Sequence, residues 1–136
     1  MSDPHSSHLI TFANPKVDRD YEIEIINPEF TCLCPVTGQP DFAIFRVRYI
    51  ADQSCLELKG LKLYFGSFRN EGCFHEAVTN RILDDLVATI SPRAMVVEAV
   101  FNIRGGISTR VEAHHGAIDK LAPAPRLKGL NPAVFA

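Results

Sequence analysis

The sequence offers little that would hold a charged partner. It has 14 lysines and arginines against 16 acidic residues, a formal net charge of −2. That leaves no electrostatic case for direct nucleic-acid binding or for an anionic membrane surface. No apolar run approaches the ~20 residues a membrane helix needs. Met1 to His8 lack the basic and apolar regions of a secretory signal, so a cytoplasmic location is the expectation. Cysteine is also sparse. Four in 136 residues (Cys32, Cys34, Cys55, Cys73) do not make a disulfide scaffold, and Cys32 and Cys34 are too close to bridge easily, which favours reduced thiols. No Gly-x-Gly-x-x-Gly joins a strand to a helix, so the usual dinucleotide fingerprint is missing. Cys32, Cys34, His75 and the His114–His115 pair are zinc-type ligands without zinc-type spacing, and no metal site is assigned.

What the sequence does contain is a 46% hydrophobic chain of one-domain length. Tyr21, Ile23 and Ile25 alternate with Glu22 and Glu24, the period of a half-buried strand. Phe45, Val47 and Tyr49 alternate with Arg46 and Arg48 in the same way. Leu61, Tyr64, Phe65 and Phe68 fall at helical spacing. Phe74, Val78, Ile82, Leu86 and Ile90 predict an amphipathic helix that stops near Ser91-Pro92. Met95–Ile103 and Ile107–Val111 read as strands either side of Gly105-Gly106. The order is ββααββ, an α+β antiparallel sheet with two helices on one face. Residues 1–20 read as a flexible segment, 21–115 as the domain and 116–136 as an extended Ala/Pro-rich tail. A sheet covered on one face, with open edge strands, calls for partners, so a homo-oligomer is expected.

The chemistry concentrates in Phe30–Asp41. Pro35, Gly38 and Pro40 stiffen and turn a loop with Cys34 at one end and Asp41 at the other. A thiolate is the best side-chain nucleophile near neutral pH, and a neighbouring acid can manage its proton. Taken singly, Cys34 could be a small buried residue, Asp41 a turn cap, and Glu76 a first-turn partner of a helix dipole.

This segment, with Glu57–Tyr64, Phe68–Asn70, Phe74–Glu76 and Arg104–Ile107, resembles the nitrile reductases that convert 7-cyano-7-deazaguanine to its aminomethyl product in queuosine biosynthesis. The resemblance implies the tunnelling fold, with subunits joining sheets into a barrel and two rings stacking. It implies that Cys34 adds to the nitrile to form a thioimide, with Asp41 as proton donor. Leu56, Glu57, Leu58, His75 and Glu76 would then bind the substrate, Glu76 gripping the donor edge of the base. NADPH would be held outside any Rossmann domain by Lys59, Lys62, Arg104 and Gly105. Gly60 stands where that family's motif normally carries Ser or Ala. Two readings compete with this one. Related cyclohydrolases of the same fold use zinc, and a non-catalytic purine- or pterin-binding module would keep only the pocket.

Overall fold

The computed structural model describes residues 3–128. Its strands are β1 (Thr11–Ala13), β2 (Ile23–Leu33), β3 (Pro40–Ile50), β4 (Ser54–Leu56), β5 (Ala94–Arg104) and β6 (Ile107–Gly116); its helices are α1 (Leu58–Gly66) and α2 (His75–Ile90). The main sheet is antiparallel in the order β2-β3-β5-β6, and β1 pairs with β4 in a separate two-stranded sheet.

Alternation sorts the main sheet into two faces. Ala43, Phe45, Val47 and Tyr49 of β3 join Met95, Val97, Ala99 and Phe101 of β5 in a core closed by Leu61, Tyr64, Phe65, Val78, Ile82 and Leu86 of the helices. The opposite face carries Arg46 and Arg48 beside Glu98 and Arg110. Glu98, 1% exposed, sits between Arg46 at 2.5 Å and Arg110 at 2.6 Å. A buried carboxylate is tolerated when cations and hydrogen bonds satisfy it, as they do here.

The tail crosses this polar face. Arg48 donates to the Ala122 carbonyl, Arg46 donates to that of Pro125 at 2.8 Å, and the Leu127 N–H donates to Glu98 at 2.8 Å. The face expected to need a partner's cover is thus partly covered by the chain itself; among the described residues β2 and β6 are the edge strands of the main sheet, β2 bridged only at Leu33, to residues 71–73. The stretch expected as tail beyond residue 128, Pro132 included, lies outside the described residues.

The start of the chain departs from expectation. Residues 1–20 read as flexible because they are polar, yet residues 6–8 pack on α1 and β1 pairs with β4. The His5 ring stacks on Phe68, just beyond α1, at 4.1 Å, and Asp3 pairs with Arg81 of α2. Gly60 explains the fit. A Cβ there would lie 2.6 Å from the His8 carbonyl oxygen and 3.0 Å from the Ile10 amide. Backbone cannot yield cheaply, so the close approach requires glycine. Gly60→Ser should therefore cost about 1–3 kcal/mol through overpacking, outweighing the ~1 kcal/mol or less of helix propensity it gains. Thermal unfolding and limited proteolysis check this, with cleavage between residues 3 and 13 accelerated.

Candidate active site

β2 and β3 form a hairpin whose loop runs from Cys34 to Gln39. The Cys34 N–H donates to the Gln39 carbonyl at 2.7 Å, and the Gly38 N–H donates to the Cys34 carbonyl at 2.8 Å. Gly38 takes φ 73°, which a side chain would resist. β5 and β6 close through Gly105 (φ 62°) and Gly106 (φ 81°), the two-residue turn that needs positive φ at both positions. That tight turn holds Arg104 beside the Cys34 loop. α2 begins at the same end of the sheet and brings His75 and Glu76. These elements enclose a cleft of about 190 Å³ lined by Cys34, Asp41, Cys73, His75, Glu76 and Arg104, with Pro35 and Phe74.

Asp41 organises the cleft. It lies on β3 rather than in the loop, in register with Cys32, and is 6% exposed. Arg104 Nε lies 3.0 Å from Oδ1, and His75 Nε2 lies 3.1 Å from Oδ2. The His75 ring is fixed from behind by Phe101, stacked at 3.7 Å and 3°. Hydrogen bonds from Thr37 and Arg104, and from the Thr37 and Val36 backbone amides, lower the Cys34 pKa to about 6. Cys32, two residues earlier, is pushed up to about 12, first by burial and then by its neighbours Cys73 and Asp41. One thiol is thus poised to react and the other is inert.

Of the residues singled out from sequence, Cys34, Asp41, His75, Glu76 and Arg104 come together, and Gly105 shapes the turn beside them. Leu56, Glu57, Leu58, Lys59 and Lys62 do not line the cleft. Leu56 is buried, and Glu57 caps α1, accepting from the Lys59 and Gly60 amides at 2.8 and 2.7 Å. Leu58 and Lys62 border a groove with Ile25–Glu29 instead. The reason is topological: α1 packs beside β2, whereas α2 begins where β5 ends. His114 bonds Glu112 at 3.0 Å on the polar face, and among the described residues no three His, Cys, Asp or Glu side chains gather as a metal site. Thr37 and Phe101 escaped the sequence reading. Thr37 lay inside the quoted motif; Phe101 carried no signal beyond its place in an apolar strand.

The comparisons with known proteins agree with one another. A family model described as QueF-like protein matches residues 40–120. A protein of Magnetococcus marinus named NADPH-dependent 7-cyano-7-deazaguanine reductase is 58% identical over 113 residues, covering 83% of this chain and 88% of its own. One of the same name from Anaeromyxobacter sp. (strain Fw109-5) is 63% identical over 108 residues, covering 79% and 88%. The crystal structure of the archaeosine synthase QueF-Like in the apo form superposes with a TM-score of 0.68 at 20% identity, over 74% of this chain and 98% of that one, which supports the fold alone.

Proposed function

Because this chain belongs to the family of NADPH-dependent 7-cyano-7-deazaguanine reductases, we propose that it reduces that nitrile to the aminomethyl base through a covalent adduct on Cys34. The observation that carries the reading is the cleft: a thiol with its pKa lowered to about 6 shares it with a buried carboxylate held between an arginine and a histidine.

At neutral pH Cys34 is present as thiolate and attacks the nitrile carbon. The C–S bond forms as one C–N π bond breaks, and its electron pair passes to nitrogen. Asp41, with His75 on its other oxygen, takes up a proton from solvent and passes it to that nitrogen, completing the neutral thioimide. Glu76, in the first turn of α2, supplies acceptors for the N–H and amino donors of the base. NADPH, when bound, would supply one hydride, so the two that a nitrile-to-amine reduction needs would come from two cofactor molecules bound in turn. The donor set fits it: Lys59 and Lys62 are exposed cations on α1, and Arg104 is a third at the cleft. The donors around Cys34 also favour its departure as thiolate, so the nucleophile is regenerated.

Because α1 lies away from the cleft, the residues assigned there, Leu56 to Lys59 and Lys62, would serve a neighbouring subunit's cleft. The edge strands β2 and β6 support such a homo-oligomer, a barrel of stacked rings. No helix is long and apolar enough to cross a membrane among the described residues, and the reading places the reaction in the cytoplasm.

The test is stoichiometric. Purified protein, treated with a chelator, should oxidise two NADPH for each nitrile consumed and release the primary amine. No NADPH oxidation by folded, reduced protein would overturn the reading and favour the binding module; activity abolished by the chelator would favour a zinc enzyme.

A further inference from the structure

The linker between α1 and α2 is tied to the strand that carries the nucleophile. Residues 67–74 lead directly into His75 and Glu76. The Leu33 N–H donates to the Glu71 carbonyl and the Cys73 N–H to the Leu33 carbonyl, both at 2.9 Å, and Leu33 pairs with Gly72 as a parallel bridge. Gly72 lies so close to the Cys34 loop that a Cβ on it would stand 3.3 Å from the Pro35 Cα. Cys34 follows Leu33 in the chain. The Cys34 loop and the start of α2, two walls of the cleft, therefore meet at this bridge.

The N-terminal segment grips the same linker from outside. Ser67 donates its hydroxyl proton to the Tyr64 carbonyl at 2.6 Å, so its oxygen accepts from His5 Nδ1, also at 2.6 Å. His5 Nε2 lies 2.6 Å from Glu71 Oε2, a buried oxygen with no hydrogen bond to any other described residue. Arg81 lies over the Phe68 ring at 5.5 Å, pairs with Asp3, and reaches the other oxygen of Glu71 at 3.9 Å. One residue, Glu71, thus joins the two sets of contacts: its side chain faces His5 and Arg81, and its carbonyl holds Leu33.

We propose that residues 3–10 form a clasp for the cleft, in which His5 acts through Glu71 to position the linker that sets Cys34 against His75 and Glu76. His5 does not line the cleft, so it is a positioning residue. The inference rests on the reductase reading, in which those three groups act on one nitrile. The stack on Phe68 and the close contact at Gly60 would dock the segment without the polar bonds. Both polar bonds of the ring are directed at the linker, and it is the linker that carries the cleft residues.

The test uses the full chain, at a temperature where circular dichroism shows each variant folded. His5→Phe keeps an aromatic ring to stack on Phe68 and removes both polar contacts. Amide exchange at Leu33 and Cys73 should rise about tenfold or more, the size expected when a hydrogen bond to a charged group is removed, with β3 and β5 still protected. Adduct formation at Cys34 with 7-cyano-7-deazaguanine, followed without NADPH, should slow in the same variant. Glu71→Ala should slow it as well, and the double variant should be no slower than the slower single one, because both act along one route. Unchanged exchange at Leu33 and Cys73 overturns the clasp. Faster exchange with a wild-type adduct rate overturns the positioning role, and additive slowing overturns the route through Glu71. Failure of the reductase reading looks different: wild type itself forms no adduct, and exchange alone then decides whether the clasp holds the linker.

Discussion

Cys34→Ala should remove turnover altogether, a loss on the order of 10⁴–10⁶-fold, as when a covalent nucleophile is deleted elsewhere. It should also remove a mass gain. Wild-type protein mixed with 7-cyano-7-deazaguanine, without NADPH, should gain one substrate mass by intact-mass spectrometry, and the variant none. Addition of a thiol to a nitrile expels nothing, so the gain equals the whole substrate. Two features of the cleft make the outcome specific. Cys34 is the thiol whose pKa is lowered, to about 6, whereas that of Cys32 is raised to about 12 and that of Cys73 is raised by burial. No neighbouring thiol can therefore readily replace it. A persistent adduct in Cys34→Ala would move the nucleophile elsewhere; wild-type turnover in that variant would end the covalent mechanism.

The sequence made the cleft legible for a physical reason. The residues that build it belong to short local motifs with unambiguous backbone demands. Pro35 and Gly38 turn the Cys34 loop, and Gly105-Gly106 makes the tight hairpin that places Arg104. The helical spacing of Phe74 to Ile90 puts His75 and Glu76 at a helix start. Each inference needed only a few neighbouring residues.

What stayed hidden depends on register or distance. The alternation of Tyr21 to Ile25 marked a strand without showing its end, which lies beyond the Asn27-Pro28 pair. The edge strand absorbs the pair as an irregularity between Asn27 and Phe30 and runs on to Leu33, because Pro28 owes no hydrogen bond on an open edge. Likewise β3 starts at Pro40, which moves Asp41 from loop to strand. The stacking of Phe101 on His75 joins residues far apart in sequence. The docking of residues 3–13 turns on the missing Cβ of Gly60, which in the sequence showed only as a departure from the family's Ser or Ala. The separation of α1 from the cleft could not be read either, because a motif names residues without saying which surface of the fold they share.

Glu76 carries the second large effect, and two physical roles for it give opposite expectations. Glu76 is exposed in the first turn of α2, whose N-cap, Phe74, offers no side-chain oxygen to the leading amides. If Glu76 only complements the helix dipole, Glu76→Gln should cost about 0.3–1 kcal/mol of stability and leave ligand affinity unchanged. If it grips the base, the carboxylate accepts from two donors on one edge of the ring. The amide keeps one acceptor and turns an N–H₂ toward a donor. Hydrogen bonds to charged groups contribute about 1.5–3 kcal/mol each, so affinity should fall by about 10²-fold or more. The comparison belongs in a Cys34→Ala background, where covalent capture no longer masks binding, with calorimetry for affinity and a thermal melt for stability. A large affinity loss with a small change in melting temperature places Glu76 on the substrate. An unchanged affinity with a lowered melting temperature returns it to the helix, and the cleft would then need another acceptor for the base.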